Sequence, residues 1–420
     1  MDKIRIVGGT PLKGTIEISG AKNSALPLIC AGLLTGEKLT LHNTPTSLSD
    51  IVSMGHLLEH LGATVEVQNK TLTVEAKYIT STQAPYDLVK KMRASILVLG
   101  PLLARFGSAS VSYPGGCAIG ARPMDVTLDG LEALGAAIVL DEGYIHVTAP
   151  ENGLIGTEYT LRLPAVTGTE NLVMAAVFAE GTTILHNAAC EPEIVDLCEC
   201  LNQMGAKITG MGTSTIIIEG VSSLHGTEHN VLPDRIETGT YAIAAVITGG
   251  HITLTNTRAD ILRSVLTTLE HVGAVVQETS NGFSIEGPLK LASINISTEP
   301  YPGYPTDLQA QMMALLAIAN GNSTITENIF ENRFMHVPEL CRMGADISID
   351  GKSAHIKGVA HLKGAPVMAT DLRASVSLIL AGLKAHGETI VDRIYHLDRG
   401  YENIEDKLRA CGANIERLKA

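Results

Sequence analysis

A three-residue motif, x-Gly-Ala, recurs six times in this chain: Leu61-Gly62-Ala63, Leu134-Gly135-Ala136, Met204-Gly205-Ala206, Val272-Gly273-Ala274, Met343-Gly344-Ala345 and Cys411-Gly412-Ala413. The copies are roughly 70 residues apart, each between an amphipathic stretch and a β-rich run. A fixed internal period constrains architecture more tightly than any single residue, because each repeat buries its apolar face against its neighbours. Six copies of one unit make a pseudo-symmetric protein, with function expected where the units meet.

Each repeat presents the same order of signals. A short strand leads into a helix that is apolar nearly all round, then Gly, then a second strand. Residues 171–179, Gly181 and 182–186 are one instance; residues 241–248, Gly249 and 251–255 are another. A helix without a polar face must be surrounded by protein. An amphipathic helix follows, as over 51–61 with Ile51, Met54, Leu57, Leu58 and Leu61 on one face. The Gly of x-Gly-Ala suits its C-terminal cap. A hairpin closes the repeat, with turns expected at Asn69-Lys70, Glu142-Gly143, Asn281-Gly282 and Asp350-Gly351. The unit is βαβαββ.

The sixth repeat lacks its last strand after residues 414–418, whereas residues 4–7 read as an unpaired strand. The N-terminal strand is therefore expected to complete the last unit. An α/β fold of two domains follows, each of three βαβαββ repeats around buried helices. One domain is then discontinuous, 1–21 plus 233–420, with 22–232 inserted. The crossings fall near Ser19-Gly20-Ala21 and Leu232-Pro233-Asp234. Two crossings at one edge make a hinge, which favours closure around a ligand.

Bulk properties agree with two domains, since 420 residues exceed one ordinary core. A net charge of −13 argues against general nucleic-acid binding, which needs a basic footprint. Small anionic ligands in a locally basic cleft remain compatible with it. Seven cysteines without CxxC pairs, and a strand-like start at Met1-Asp2-Lys3-Ile4-Arg5 in place of a signal peptide, indicate a reduced, cytoplasmic setting without a disulfide framework. Apolar runs such as 94–103 and 312–319 are far short of the roughly 20 residues of a membrane span. They read as buried core helices.

The central helices are expected to begin at polar clusters: Lys22-Asn23-Ser24, Arg93-Ala94-Ser95, Thr169-Glu170-Asn171, Arg235-Ile236-Glu237-Thr238, Thr306-Asp307 and Asp371-Leu372-Arg373. Helix N-termini carry partial positive charge and free N–H donors, so they favour anions. Singly, each charge reads equally well as a cap for its own helix. Six similar placements together favour a cationic ligand site in an otherwise acidic protein.

The segment Pro114-Gly115-Gly116-Cys117-Ala118-Ile119-Gly120-Ala121-Arg122-Pro123 reads as an exposed, mobile loop, with three glycines between two prolines. A cysteine near an arginine can be a reactive thiol of lowered pKa. A lone loop cysteine is more often incidental, so the loop's composition leaves that role open. The other six cysteines read as structural, with Cys30 in an apolar helix and Cys198 and Cys200 in an amphipathic one.

Competing motifs fail. Gly351-Lys352-Ser353 has Asp346 where a phosphate loop has its first glycine, and it lies in a hairpin. His56 and His60 have the spacing of a helical metal pair but lack a His-Glu-x-x-His pattern and lie off the apolar face. Neither a metal site nor a dinucleotide cofactor is expected.

Ser19-Gly20-Ala21-Lys22-Asn23, the 114–123 loop, residues 232–239, Glu331-Asn332-Arg333-Phe334-Met335-His336 and Asp398-Arg399-Gly400-Tyr401 together closely resemble the UDP-N-acetylglucosamine 1-carboxyvinyltransferase family. These enolpyruvyl transferases open bacterial peptidoglycan synthesis, and the resemblance runs the length of the chain. It implies two inside-out α/β domains of three βαβαββ units each. It also implies transfer of the enolpyruvyl group of phosphoenolpyruvate to the sugar 3′-hydroxyl, with release of phosphate. Such a reaction needs an acid for the vinyl carbon, a base for the hydroxyl, and cations for phosphate and carboxylate.

By motif position, the resemblance makes Cys117 the proton donor, able also to form an adduct with phosphoenolpyruvate. It makes Asp307 the base near the sugar hydroxyl. Lys22, Arg122 and Arg399 would hold phosphate, with Arg93, Arg333 and Arg373 completing the cationic site. Asn23, Arg122, Pro123, Met124, Asp125, Val126, Arg162, Leu163, Pro164, Ala165, Val166 and Ile329 would border the nucleotide sugar. The shikimate-pathway enolpyruvyl transferase shares the fold but lacks the Cys117 loop. A non-catalytic paralogue that senses the sugar nucleotide is the rival of a different class, and intact Cys117, Asp307 and Arg399 count against it.

Overall fold

The structure is a computed structural model that describes residues 2–90, 92–113 and 124–419. Within them the strands form six four-stranded sheets of one plan. A leading strand runs parallel to a second, and the second and third each pair antiparallel with the fourth. In one sheet Glu158–Thr160 leads, with Glu158 opposite Ile184; Thr182 and Lys207 then both face Glu219. Helix Val166–Ala176 follows the leading strand, and helix Pro192–Gln203 follows the second. The parallel pair requires a crossover connection, which the buried helix supplies. The repeat is βαβαββ.

At all six x-Gly-Ala motifs the glycine has positive φ, from 92° at Gly344 to 111° at Gly273. Gly62 N–H donates to the Glu59 carbonyl and Ala63 N–H to the Leu58 carbonyl, both at 3.0 Å. The pattern returns at the last copy, Gly412 to Arg409 (2.9 Å) and Ala413 to Leu408 (3.1 Å). This closure satisfies carbonyls left open at the end of the amphipathic helix.

Three sheets take a strand from a distant part of the chain. Lys3–Val7 lies between Glu388–Asp392 and Asn414–Leu418, antiparallel to both, so it closes the sixth repeat. Two further exchanges are not visible in the periodicity. Lys13–Glu17 leads the sheet containing His251–Thr255, and Thr227–Asn230 leads the sheet containing Lys38–His42. Each of these strands serves the repeat that the other precedes in sequence.

The chain divides into two compact domains, one of residues 2–19 and 233–419 and one inserted at 20–113 and 124–232. In the split domain Asp234 N–H donates to the Ser19 carbonyl at 2.9 Å; in the inserted domain Ala21 N–H donates to the Leu232 carbonyl at 2.7 Å. The split domain packs helices Arg235–Thr248, Gln309–Leu316 and Leu372–Lys384 on one another. Residues 236–248 and 309–316 are all buried, as all-round apolar helices require. In the inserted domain, helix Leu99–Phe106 packs on Val166–Ala176. The 3-10 turn Arg93–Val98 touches that helix and Lys22–Ala31. No helix among the described residues is long and apolar enough to cross a membrane.

Several expectations need correction. Thr169-Glu170-Asn171 is not a helix start but lies inside Val166–Ala176, fully buried or nearly so, because a turn at 163–165 starts the helix earlier. Thr306-Asp307 occupies a 3-10 turn, Thr306–Leu308, ahead of its helix. The turn expected at Asn281-Gly282 falls at 280–281, because Gly282 already pairs in strand Gly282–Glu286. The turn expected at Asp350-Gly351 falls at 351–352, since Asp350 pairs with Ser353. Not every other cysteine is buried: Cys341 is exposed in the short helix Val337–Arg342, and Cys190 is half-buried.

Candidate active site

In the inserted domain, Lys22 and Asn23 open helix Lys22–Ala31. Lys22 Nζ lies 3.2 Å from Asp50 Oδ2, with the lysine side chain 12% exposed. The next residue anchors the helix: Ser24 Oγ makes a short hydrogen bond to Asp196, which also accepts from Leu232 N–H at 3.1 Å and pairs with His229 Nε2 at 2.9 Å. These buried bonds fix where the first turn, and so Lys22, points. Arg93 is half-buried at the head of the 3-10 turn Arg93–Val98.

The segments expected to border a nucleotide sugar meet in this domain. Asp125 starts helix Asp125–Ala133, Met124 precedes it and Val126 is buried. Arg162 Nη2 reaches Asp129 at 2.8 Å and Asp125 at 4.0 Å, joining the two segments. Leu163 is 52% exposed, Pro164, Ala165 and Val166 are half-buried, and Ala165 immediately precedes the helix without a side-chain cap bond. Cys117, Arg122 and Pro123 lie outside the described residues.

In the split domain three expected residues are in direct contact. Arg333 Nη2 donates to Asp307 Oδ1 at 2.8 Å, and Arg373 Nη2 to Asp307 Oδ2 at 2.6 Å. Asp307 therefore does not cap its helix; the residue ahead of its turn is Pro305, with no side-chain cap bond. Both arginines are nearly buried, at 5% and 8% side-chain exposure, against 26% for Asp307. Burial pushes the Asp307 carboxyl up, but the guanidiniums of Arg373 and Arg333 outweigh it and hold it well below the usual carboxylate range. Burial lowers Arg373, and Asp307 more than reverses this. Burial also brings the neighbouring His336 down to about 4, so its imidazole is neutral near pH 7.

Two guanidiniums against one carboxylate leave a positive charge, and Arg333 Nη1 is buried with no hydrogen-bond partner among the described residues. The cluster can therefore take an anion. Arg399 ends the 3-10 turn Ile394–Arg399, half-buried. The turn is braced by Arg417, which holds Asp398 through two bonds of 2.6 and 3.1 Å. A Cβ at Gly400 would strike Leu372, so this segment packs against the start of the helix that carries Arg373.

Ile329 is half-buried, in a turn shaped by a residue the sequence did not single out. Glu327 is buried and accepts from Ile329 N–H (2.8 Å), Phe330 N–H (3.2 Å), Thr298 Oγ1 (2.8 Å) and Thr306 Oγ1 (2.9 Å). It thus ties the Ile329 turn to the residue before Asp307. Gln311 is a second such residue. Its signal is a glutamine at the edge of the apolar 312–319 run, since a buried amide must find partners.

Residues 6–408 match the family of EPSP synthase (3-phosphoshikimate 1-carboxyvinyltransferase). The UDP-N-acetylglucosamine 1-carboxyvinyltransferase of Gluconacetobacter diazotrophicus is 59% identical over 422 residues, covering 100% of both chains. That of Granulibacter bethesdensis is 57% identical over 421 residues, again covering 100% of both. Among solved structures, the enolpyruvyl transferase NikO from Streptomyces tendae superposes with a TM-score of 0.90 at 25% identity, covering 100% of this chain and 99% of that one. The EPSP synthase of Acinetobacter baumannii, at 19% identity and a TM-score of 0.76 over 100% of both chains, shares the fold. Across its whole length, then, the chain belongs to the UDP-N-acetylglucosamine 1-carboxyvinyltransferases, within the wider family of EPSP synthase.

Proposed function

We propose that the protein transfers the enolpyruvyl group of phosphoenolpyruvate to the 3′-hydroxyl of UDP-N-acetylglucosamine and releases phosphate, in the cytoplasm, as the first committed step of peptidoglycan synthesis. The carrying observation is full-length identity of 57–59% to relatives of that name. The chemistry of the split domain agrees with it. The hydroxyl oxygen attacks C2 of phosphoenolpyruvate while C3 takes a proton, giving a tetrahedral intermediate. Loss of a methyl proton from C3, with cleavage of the C2–O bond to phosphate, then restores the double bond and releases phosphate.

Asp307 is the residue assigned to the hydroxyl proton, and Cys117 the one assigned to C3. Lys22, Arg122 and Arg399 hold phosphate in this reading, with Arg93, Arg333 and Arg373 serving the anionic groups. Asn23, Met124 to Val126, Arg162 to Val166 and Ile329 receive the sugar nucleotide. Clamped by two guanidiniums, Asp307 is a weak proton acceptor. An anionic substrate that engages Arg333 and Arg373 raises its proton affinity, so the base strengthens when that substrate is in place.

The test is phosphate release from phosphoenolpyruvate with either acceptor. Turnover is expected with UDP-N-acetylglucosamine and not with shikimate 3-phosphate. Turnover only with shikimate 3-phosphate would move the protein to the other pathway. Tight binding of the sugar nucleotide without turnover would make it a sensor.

A further inference from the structure

The split domain holds a second polar cluster, buried where its three central helices meet, in which Tyr401, Thr240 and Gln311 surround Arg373. Tyr401 Oη lies 2.9 Å from Thr240 Oγ1, 3.3 Å from Arg373 Nη1 and 3.4 Å from Gln311 Nε2. Gln311 Nε2 also donates to the Asp307 carbonyl at 2.9 Å and to Thr240 Oγ1 at 3.2 Å. Thr240 and Gln311 are fully buried, and Tyr401 is 3% exposed.

Valence fixes the protons. The Thr240 hydroxyl has one hydrogen, and it goes to the Ile236 carbonyl at 2.8 Å. Thr240 Oγ1 is therefore the acceptor in the Tyr401 contact, and the phenol is the donor. The phenol oxygen is left to accept from Arg373, whose nitrogens can only donate, while the two hydrogens of Gln311 Nε2 go to its nearer acceptors, the Asp307 carbonyl and Thr240 Oγ1. Burial raises the Tyr401 hydroxyl, which keeps its proton in place. The Arg373 guanidinium is thus gripped at both ends, by Asp307 at Nη2 and by Tyr401 at Nη1.

We propose that Tyr401 is a positioning residue for carboxyvinyl transfer: its hydroxyl, oriented by Thr240, sets the plane of the Arg373 guanidinium against Asp307. The inference rests on the function proposed above and on Arg373 meeting the anionic substrate. A planar fork held at both ends keeps its remaining N–H groups in one fixed plane, so an incoming anion meets donors that need no further ordering. Freed at one end, the guanidinium swings about its Asp307 contact, and the anion must order it.

The experiment is Tyr401→Phe in the full chain, with each substrate varied in turn. The value of kcat/KM for phosphoenolpyruvate is expected to fall about 10-fold, as for loss of one hydrogen bond to a charged group. The KM for UDP-N-acetylglucosamine is expected to stay within about two-fold, because Tyr401 acts only through the arginine. Thr240→Val, which removes the acceptor of the phenol proton, is expected to act in the same direction. Thr240→Ser, which keeps the hydroxyl, is expected to restore the wild-type constants. Should Tyr401→Phe not fold, the Thr240 pair decides.

Wild-type kcat/KM for phosphoenolpyruvate in Tyr401→Phe, or a parallel rise of both KM values, overturns the positioning role. A wild-type protein that turns over neither substrate overturns the proposed function, and this inference with it.

Discussion

Asp307 shares its two carboxylate oxygens between two nearly buried guanidiniums, so replacing it has two separable effects. Asp307→Asn keeps the shape but offers one oxygen where two were used. A stability loss of about 1–3 kcal/mol in urea denaturation is expected, with turnover down by on the order of 10²-fold or more. Because the folded-state carboxyl is held low, the stabilisation is present above the ordinary carboxylate range and is lost as the pH falls. The gap between wild type and variant should therefore close in acid; near wild-type turnover would remove Asp307 from the role of base. For the thiols, burial pushes Cys30 and Cys411 up and Cys198 up to about 12, which disfavours alkylation at these three. Fosfomycin, an epoxide phosphonate, is expected to add once, at Cys117. Peptide mapping must discriminate this from Cys341, which is exposed, and an adduct chiefly there would refute the assignment. The sequence made the residue types of the site legible through their motifs. It could not show that Arg333 and Arg373, which follow Asp307 by 26 and 66 residues, close on one carboxylate, because that pairing exists only once two neighbouring repeats are packed.

At the level of the element, the x-Gly-Ala caps were readable because their geometry is local: a left-handed glycine ends a helix wherever the helix stands. The same glycine nonetheless meets different surroundings. A Cβ at Gly62 would lie 2.7 Å from Thr80 N and Tyr78 O, whereas at Gly412 it would meet nothing within 4 Å. Gly412→Ala should cost roughly 1–2 kcal/mol, the strain of a left-handed alanine alone. Gly62→Ala should cost more, since backbone must also move. Chemical denaturation of the two variants compares them, and equal losses would mean that strain alone governs. The exchanged strands Lys13–Glu17 and Thr227–Asn230 escaped the sequence for the opposite reason. Nothing in an alternation of four or five residues records which of six similar sheets it joins, and the partners lie some 200 residues away.

For the whole molecule, the apolar core of the inserted domain draws, among the described residues, only on those between Ala25 and Val231. Residues 20–232 expressed alone should thus unfold cooperatively, a core of that size sufficing for an independent domain. The split domain has no such independence from its first strand. Deleting residues 2–7 takes the strand between Glu388–Asp392 and Asn414–Leu418 out of its sheet and leaves both without a partner on that side. Loss of the folded split domain, read by limited proteolysis, is the expected result; a wild-type melting profile would contradict it. The same pairing has a consequence during synthesis. At roughly 5–20 residues per second, the ribosome needs on the order of 20–80 s to make the partners of Lys3–Val7. For that interval a finished strand waits beside the nascent chain with its edges open. Lys3 and Arg5, alternating with Ile4 and Ile6, give the waiting strand a charged face that discourages pairing with a neighbouring polypeptide on the same message.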